Sequence, residues 1–329
     1  MRVLVTGGAG FIGSATTAAL LEAGHQATVL DDLRSGTATR VPPAATLVRA
    51  SLADLPSVEA ALRSHQVEAV LHFAASIEAG ESMRTPETFF ANNTAATLGL
   101  LDLLVRHDVG LFVLSSTAAV YGEPTYTPID EDHPTVPTNA YGESKLLIER
   151  ALAWLARQGR ISYAALRYFN ATGASGGKAE AHSPETHLIP LALDAAAGRR
   201  GPLQVFGSDY PTPDGTCVRD YVHVQDLAAA HVAALHHLAR QAEQGKSGTA
   251  LVANLGTGQG FTVRQVLESV ERVTGVPVPV VEAGRREGDP AVLVASAERA
   301  RDILGWAPRI TDLDDLVRDA WQARHPIAG

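Results

Sequence analysis

A tyrosine and a lysine four positions apart, Tyr141 and Lys145, follow 24 residues after Thr117, the last hydroxyl of the triplet Ser115-Ser116-Thr117. On a helix from Tyr141 to about Arg157, an i, i+4 pair projects from one face, so the phenol and the ammonium group would be neighbours. A free phenol titrates near 10 and is a poor base at neutral pH, and a cation within several ångströms lowers that by roughly 1–3 units. Tyr141 is therefore the candidate general base and acid, and Lys145 the cation that lowers its pKa. Thr117 is the hydroxyl that would hold a substrate alcohol and share its proton. An isolated pair of this kind is more often a half-buried aromatic beside a solvated charge. A cofactor site earlier in the chain reverses that weighting.

Such a site opens the sequence. Met1 to Thr6 reads as a short apolar strand running into Gly7-Gly8-Ala9-Gly10-Phe11-Ile12-Gly13, with a helix expected over Phe11 to Ala23. Glycines at 7, 10 and 13 let the backbone turn tightly and approach a pyrophosphate, while the helix start aims N–H groups at the phosphates. A second strand, Ala27 to Leu30, ends in Asp31 and Asp32, where an acid should meet a ribose 2′-hydroxyl. Asp31, at the strand end, is the favoured partner. An acid there selects NAD over NADP, whose 2′-phosphate it would repel. The positive nicotinamide ring would lower the tyrosine pKa further.

Elements that position these groups follow in order. Leu33 to Ala45 reads as a loop, Thr46 to Arg49 as strand three, and Asp54 to Ser64 as a helix. Ala69 to Phe73 reads as a buried fourth strand, and the small residues Ala74 and Ala75 after it would let a flat cofactor lie close. Pro86 to His107 carries one long amphipathic pattern that includes Asn92, and Leu111 to Leu114 forms strand five leading into the hydroxyl triplet. Prolines at 124, 128, 134 and 137 mark a loop over the site. Strands alternating with helices predict an α/β protein with a Rossmann-type, doubly wound parallel sheet and ligands at the strands' carboxyl ends.

Beyond Asn170 the composition shifts. Gly173 to Pro184 reads as a loop, His187 to Arg199 as a helix lining a substrate pocket, and Gln225 to Ala239 as another helix. Val252 to Gly256 looks like a strand returning to the sheet; helices are expected over Phe261 to Gly275 and Asp312 to Ala323. The expected division is a cofactor domain over 1–171, with a return segment near 218–260, and a smaller α/β C-terminal lobe, mainly for substrate, over 172–329.

Composition bounds the partners. The 329 residues are 46% hydrophobic and 19% charged with a net charge of −9, which disfavours nucleic acid and anionic membrane as partners. No apolar run matches a membrane span, and no leader pattern precedes the first strand. The single cysteine, Cys217, fits a reducing cytoplasm. His231, His236 and His237 lack ligand spacing and there is no His-Glu-x-x-His run, so no metal is expected.

The motifs together resemble a known family, the extended short-chain dehydrogenase/reductases, and within it the branch that epimerises nucleotide sugars. The resemblance covers nearly the whole chain. It is carried by Val5 to Ser14, His72-Phe73-Ala74, Gly80-Glu81-Ser82, Val120-Tyr121-Gly122, Tyr141 to Lys145 and Leu166 to Asn170. Asp209 to Thr212, Val218 to Val224 and Arg285 to Asp289 make it narrow. It implies NAD as cofactor, a UDP-hexose as substrate, and interconversion of UDP-glucose and UDP-galactose through a 4-keto sugar. A homodimer is implied too, joined through the helices near 86–107 and 139–157.

Cofactor contacts implied by the resemblance come from Gly7, Gly10, Phe11, Ile12 and Gly13, from Asp31, Asp32, Ser51 and Leu52, and from Phe73, Ala74, Ala75 and Asn92. Thr117, Tyr141 and Lys145 complete them, with Phe169 beside the nicotinamide. Arg219 and Arg286 would fork the diphosphate. Asn170, His187, Leu188, Gln204, Phe206 and Tyr221 would frame the phosphates, ribose, uracil and sugar, and Asp289 would accept from a ribose hydroxyl. Two positions depart from the family pattern. Ser51 replaces an aspartate that often meets the adenine, and Ile77 a lysine near the cofactor ribose. Leu293 stands at a size gate beside the sugar, intermediate between a large tyrosine that restricts the site to plain hexoses and a small residue that admits N-acetyl sugars.

Two alternatives are weighed against this reading. A dehydratase or decarboxylase on the same fold would place acids after the strand-five threonine, where Ala118 and Ala119 cannot transfer protons. A non-catalytic NAD-sensing regulator would need no tyrosine base.

Overall fold

The computed structural model describes residues 1–180, 185–286 and 289–325. Its main sheet has seven strands: β1 Arg2–Thr6, β2 Gln26–Asp31, β3 Thr46–Arg49, β4 Ala69–His72, β5 Leu111–Thr117, β6 Ser162–Tyr168 and β7 Ala250–Leu255. Their spatial order is β7-β6-β5-β4-β1-β2-β3, and every pairing is parallel. Parallel strands are covered on both faces, which is why β1 and β4 read as unbroken apolar runs. Alternation then divides the side chains. Leu4, Val70 and Phe112 join the core under the helices Leu55–Ser64, Ala96–Arg106 and Ala140–Arg157. Val3, Val5, Leu71 and Val113 face the helices Phe11–Glu22 and Val224–Glu243 on the other side. The order reverses between β1 and β4, and the carboxyl ends of those strands open the crevice where such sheets take ligands.

The rest of the chain builds a third core. Helices Leu188–Ala196, Val263–Thr274 and Leu313–Arg324 pack Leu193, Val266, Val270, Leu316 and Val317 together. Strand Val218–His223 pairs in parallel with Asn170–Thr172 and Val292–Leu293 and antiparallel with Gly260–Thr262, tying this lobe to the end of β6. Within the expected loop from Gly173, Ala174–Ser175 pairs with Lys178–Ala179, and positions 181–184 lie outside the described residues. So do Glu287 and Gly288 of the motif that ends at Asp289. Among the described residues, no helix is long and apolar enough to cross a membrane.

A helical element also differs from its expected form. The pattern over Pro86 to His107 is not a single α-helix: Pro86–Phe89 leads into a π-helical turn, Phe90–Ala95, before Ala96–Arg106. The wider turn accommodates a side-chain clamp. Asn93 accepts from Ser76 N at 2.8 Å and donates to Ser76 O at 2.9 Å and to Ser144 Oγ at 3.1 Å. It thus pins the segment after β4 to the helix bearing Tyr141.

Candidate active site

A cleft of about 530 Å³ runs along the carboxyl ends of the strands. Its floor is the glycine turn. Gly7 has φ +71°, and a Cβ there would lie 2.5 Å from Ala74 N, so only glycine lets the β1 and β4 ends approach this closely. At Gly13 a Cβ would meet Gly7 O at 2.3 Å. Gly13→Ala is therefore expected to push the helix off the turn, cost about 1–3 kcal/mol in urea unfolding, and lower the amount of dinucleotide that co-purifies. Asp31 is buried and accepts from Ala9 N and from Leu33 N, each at 2.9 Å, so it also fixes the turn's shape.

Gly7, Gly10, Phe11, Ile12, Gly13, Asp31 and Asp32 line this cleft with Ser51, Leu52, Phe73, Ala74 and Ala75. Asn92, Thr117, Tyr141, Lys145, Phe169, Asn170 and His187 line it too, as does Ile77. Residue types and backbone suit a dinucleotide: a glycine cradle for the pyrophosphate, acids at the end of β2, and small residues where a planar ring must pass. Sequence reasoning missed several neighbours. Arg34 donates to Asn92 Oδ1 at 3.1 Å across the cleft, and Ser115 and Tyr168 share a short hydrogen bond beside the reactive residues. Glu78 and Glu180 also face the cleft, and no motif marks either one.

The catalytic helix begins at Ala140, capped by Asn139, whose side chain accepts from Gly142 N at 2.8 Å. Tyr141 N donates to Ser82 Oγ at 3.1 Å. The Thr117 hydroxyl, at the end of β5, is near enough to the Tyr141 phenol to favour its ionised form. The expected effect of Lys145 on that phenol needs correction. Burial pushes the Tyr141 pKa up to about 12 against the Thr117 hydroxyl, and the Glu78 charge adds to the rise. Lys145 does not counter this: its Nζ donates to Ser115 O at 2.9 Å, and burial brings its own pKa down to about 8. Spacing made them neighbours, but desolvation dominates both groups.

Lys145 makes the stability of the fold depend on pH. Between its folded value of about 8 and its ordinary 10.5 the unfolded chain binds more protons, so this group makes stability rise with pH over that window. Lys145→Met is expected to melt higher than wild type at about pH 7, with the difference shrinking towards about pH 10, while catalysis is lost. Thermal melts at the two pH values check it.

Of the remaining candidate residues, two share a second hollow and the others are spread around it. Arg286 and Asp289 line a hollow of about 490 Å³ with Tyr210, Arg285 and Glu123. The Arg286 guanidinium lies 4.5 Å over the Phe206 ring, and Arg219 Nη2 is 3.6 Å from Asp289. Arg219 Nη1 donates to Val218 O at 2.9 Å and to Pro290 O at 2.8 Å, which fixes the guanidinium beside Asp289. Gln204 is exposed on its strand, and Leu188 packs at the edge of the third core. Tyr221 is buried inside that core, and Leu293 packs against the cluster of Val120, Tyr121, Ile129 and Leu146 that also takes in Phe169.

Glu180, Glu185 and His187 bring atoms able to ligate a metal within 4.8 Å of one another, a grouping that histidine spacing alone did not reveal. Its observed role is ionic. His187 Nδ1 is 2.8 Å from Glu185 and 3.4 Å from Glu180, and Arg324 lies 3.7 Å from Glu185.

A Rossmann-type sheet with a glycine-turn cleft, an acid at the end of β2 and a Thr-Tyr-Lys set at its reactive end defines a dinucleotide-dependent enzyme. The model of the NAD dependent epimerase/dehydratase family matches residues 3–251, and the chain belongs to that family. It is 46% identical to the UDP-glucose 4-epimerase of Halalkalibacterium halodurans, over 99% of this chain and 97% of that protein. The crystal structure of UDP-glucose 4-epimerase from Brucella ovis in complex with NAD superposes with TM-score 0.92 at 43% identity, covering 97% of each chain. The structure of the UDP-Glc/GlcNAc 4-epimerase of Campylobacter jejuni gives TM-score 0.84 at 37% identity and 98% coverage of both chains.

Proposed function

We propose that the chain interconverts UDP-glucose and UDP-galactose through a 4-keto sugar, with NAD held in the large cleft and Tyr141 as general base and acid. The observation that carries this reading is the meeting of Thr117, Tyr141 and Lys145 with the glycine turn in one cleft. NAD, when bound, supplies reversible acceptance of the hydrogen on sugar carbon 4. Thr117 holds the 4-hydroxyl and hands its proton towards Tyr141, which keeps it through the oxidised stage and returns it to the 4-oxygen, whichever face of the sugar is turned to the cofactor. Lys145 holds the cofactor ribose. Asp31 and the glycine turn bind its adenosine and pyrophosphate parts. Arg219 and Arg286 clamp the substrate diphosphate while the sugar turns about its bond to it, with Asp289 on the uridine ribose and Phe206 beside the uracil.

Incubating the purified protein with UDP-galactose, without added NAD, is expected to yield UDP-glucose. Absence of product, even after NAD is supplied, overturns the proposal. Leu293 leaves room for a larger 2-substituent than tyrosine would, so UDP-GlcNAc and UDP-GalNAc are proposed as secondary substrates; inertness towards UDP-GlcNAc removes that part. Leu98 and Trp154, on the helices Ala96–Arg106 and Ala140–Arg157, are 44% and 64% exposed, and this apolar surface supports pairing of those helices in a homodimer. A monomeric mass in light scattering would refute it. Cys217 is buried and free, which suits a reducing compartment such as the cytoplasm.

A further inference from the structure

Glu78 has no part in the chemistry proposed above, yet it lines the same cleft as Tyr141 and His187. It is half-buried, and its Oε2 accepts from Ile77 N at 3.1 Å. The segment that bears it is pinned on both sides. Ser76 is held by Asn93, and Ser82 receives the backbone N–H of Tyr141 itself. The carboxylate is therefore fixed relative to the catalytic phenol.

Its charge reaches both neighbours. Burial raises the Tyr141 pKa most and Glu78 adds to it. Burial would lower His187, but the Glu185 hydrogen bond and the charges of Glu180, Glu185 and Glu78 raise it. A negative group that opposes ionisation of the catalytic base acts against catalysis, so its contribution must lie elsewhere. The cations of the cleft are engaged elsewhere, Arg34 with Asn92 Oδ1 at 3.1 Å. His187 is already paired with Glu185 and Glu180, and Glu180 adds a second carboxylate to the cleft wall. Lys145 is bound to Ser115 O, and Arg286 lies in the second hollow. Among the described residues Glu78 forms no ion pair.

We infer that Glu78 is a specificity-determining residue that filters the sugar by charge, favouring UDP-sugars whose hexose is neutral or carries an amine and disfavouring those that carry a carboxylate. The inference rests on the UDP-sugar reading of this cleft. Neutral hexoses pass because their hydroxyls can donate to the carboxylate, an amine gains attraction, and a uronate meets like charge in a partly desolvated site.

The test is a charge series on the NAD-loaded enzyme: UDP-glucosamine, UDP-glucose and UDP-glucuronate, each titrated by calorimetry and as an inhibitor of UDP-galactose conversion. Wild type is expected to bind the uronate about tenfold more weakly than UDP-glucose, and the amine more tightly. Glu78→Gln is expected to shrink the glucose-to-uronate ratio by about tenfold, and Glu78→Asp to restore most of it. A variant whose ratio equals that of wild type overturns the inference, and so does a wild type that binds the uronate as tightly as UDP-glucose. Failure to convert UDP-galactose would instead refute the proposed reaction, because the calorimetric series reads the filter without turnover.

Discussion

Tyr141→Phe is expected to lower the turnover of UDP-galactose by roughly 10³–10⁴-fold while leaving the fold and the bound NAD in place. The phenyl ring fills the same volume, and the helix cap at Asn139 and the Tyr141 N bond to Ser82 involve only backbone or neighbouring groups. What disappears is the one group that moves a proton in both directions of the cycle. Thr117 remains, but a threonine hydroxyl is no base at neutral pH, and it also accepts from Ala119 N at 3.1 Å. The pH dependence separates this role from a packing defect. Burial holds the Tyr141 phenol near 12 in the protein's own environment, so any fall in that value has to come from bound cofactor and substrate. Wild-type kcat should rise with pH as the phenol ionises, whereas the residual rate of the variant should stay flat. Stopped assays across the pH range, with NAD content measured on the same samples, check both statements. A variant that retains wild-type kcat would remove Tyr141 from the proton transfer.

Much of this site was legible because its parts are local. Strand, glycines, helix and acid occur within the first 32 residues, and Tyr141 and Lys145 share one helix. The parallel, doubly wound sheet followed from the alternation of strands with helices, whereas the spatial order of its strands did not. The π-helical turn at Phe90–Ala95 was not legible, because a single wide turn hardly disturbs apolar periodicity over the rest of its segment. The direction of the Tyr141 shift was misjudged for a different reason. Spacing encodes which groups are neighbours but not how much water each one loses. Arg34, Glu78 and Glu180 were missed because they meet the cleft through tertiary approach alone, and Arg34 reaches Asn92 from 58 positions away. The second hollow shows the same limit: Arg286 and Phe206 stack across 80 positions of chain.

Behind the catalytic strand lies a buried charge pair one helical turn from Lys145, and breaking it is expected to be among the costliest single changes in the sheet. Arg167 on β6 donates through Nε to Glu149 Oε1 at 3.0 Å and through Nη2 to Oε2 at 2.5 Å, and its Nη1 reaches Tyr121 OH at 3.0 Å. Ser116 on β5 donates to the same carboxylate at 2.5 Å, and Tyr121 OH passes the chain on to Asn254 of β7 at 2.7 Å. Both charged side chains are no more than 7% exposed. Arg167→Leu would leave the Glu149 carboxylate buried without its counter-ion, at a cost of about 3–5 kcal/mol in urea unfolding. Glu149 stands one helical turn after Lys145, so the variant should also loosen the ammonium group's hold on Ser115 O and weaken retention of NAD. The double variant Arg167→Leu/Glu149→Leu removes both charges and is expected to recover a large part of the lost stability, because two apolar side chains need no desolvation. Its activity should recover less, since Ser116 and Tyr121 lose their partner and β5 is no longer held to the catalytic helix. Additive losses in the double variant would mean that the pair contributes packing alone.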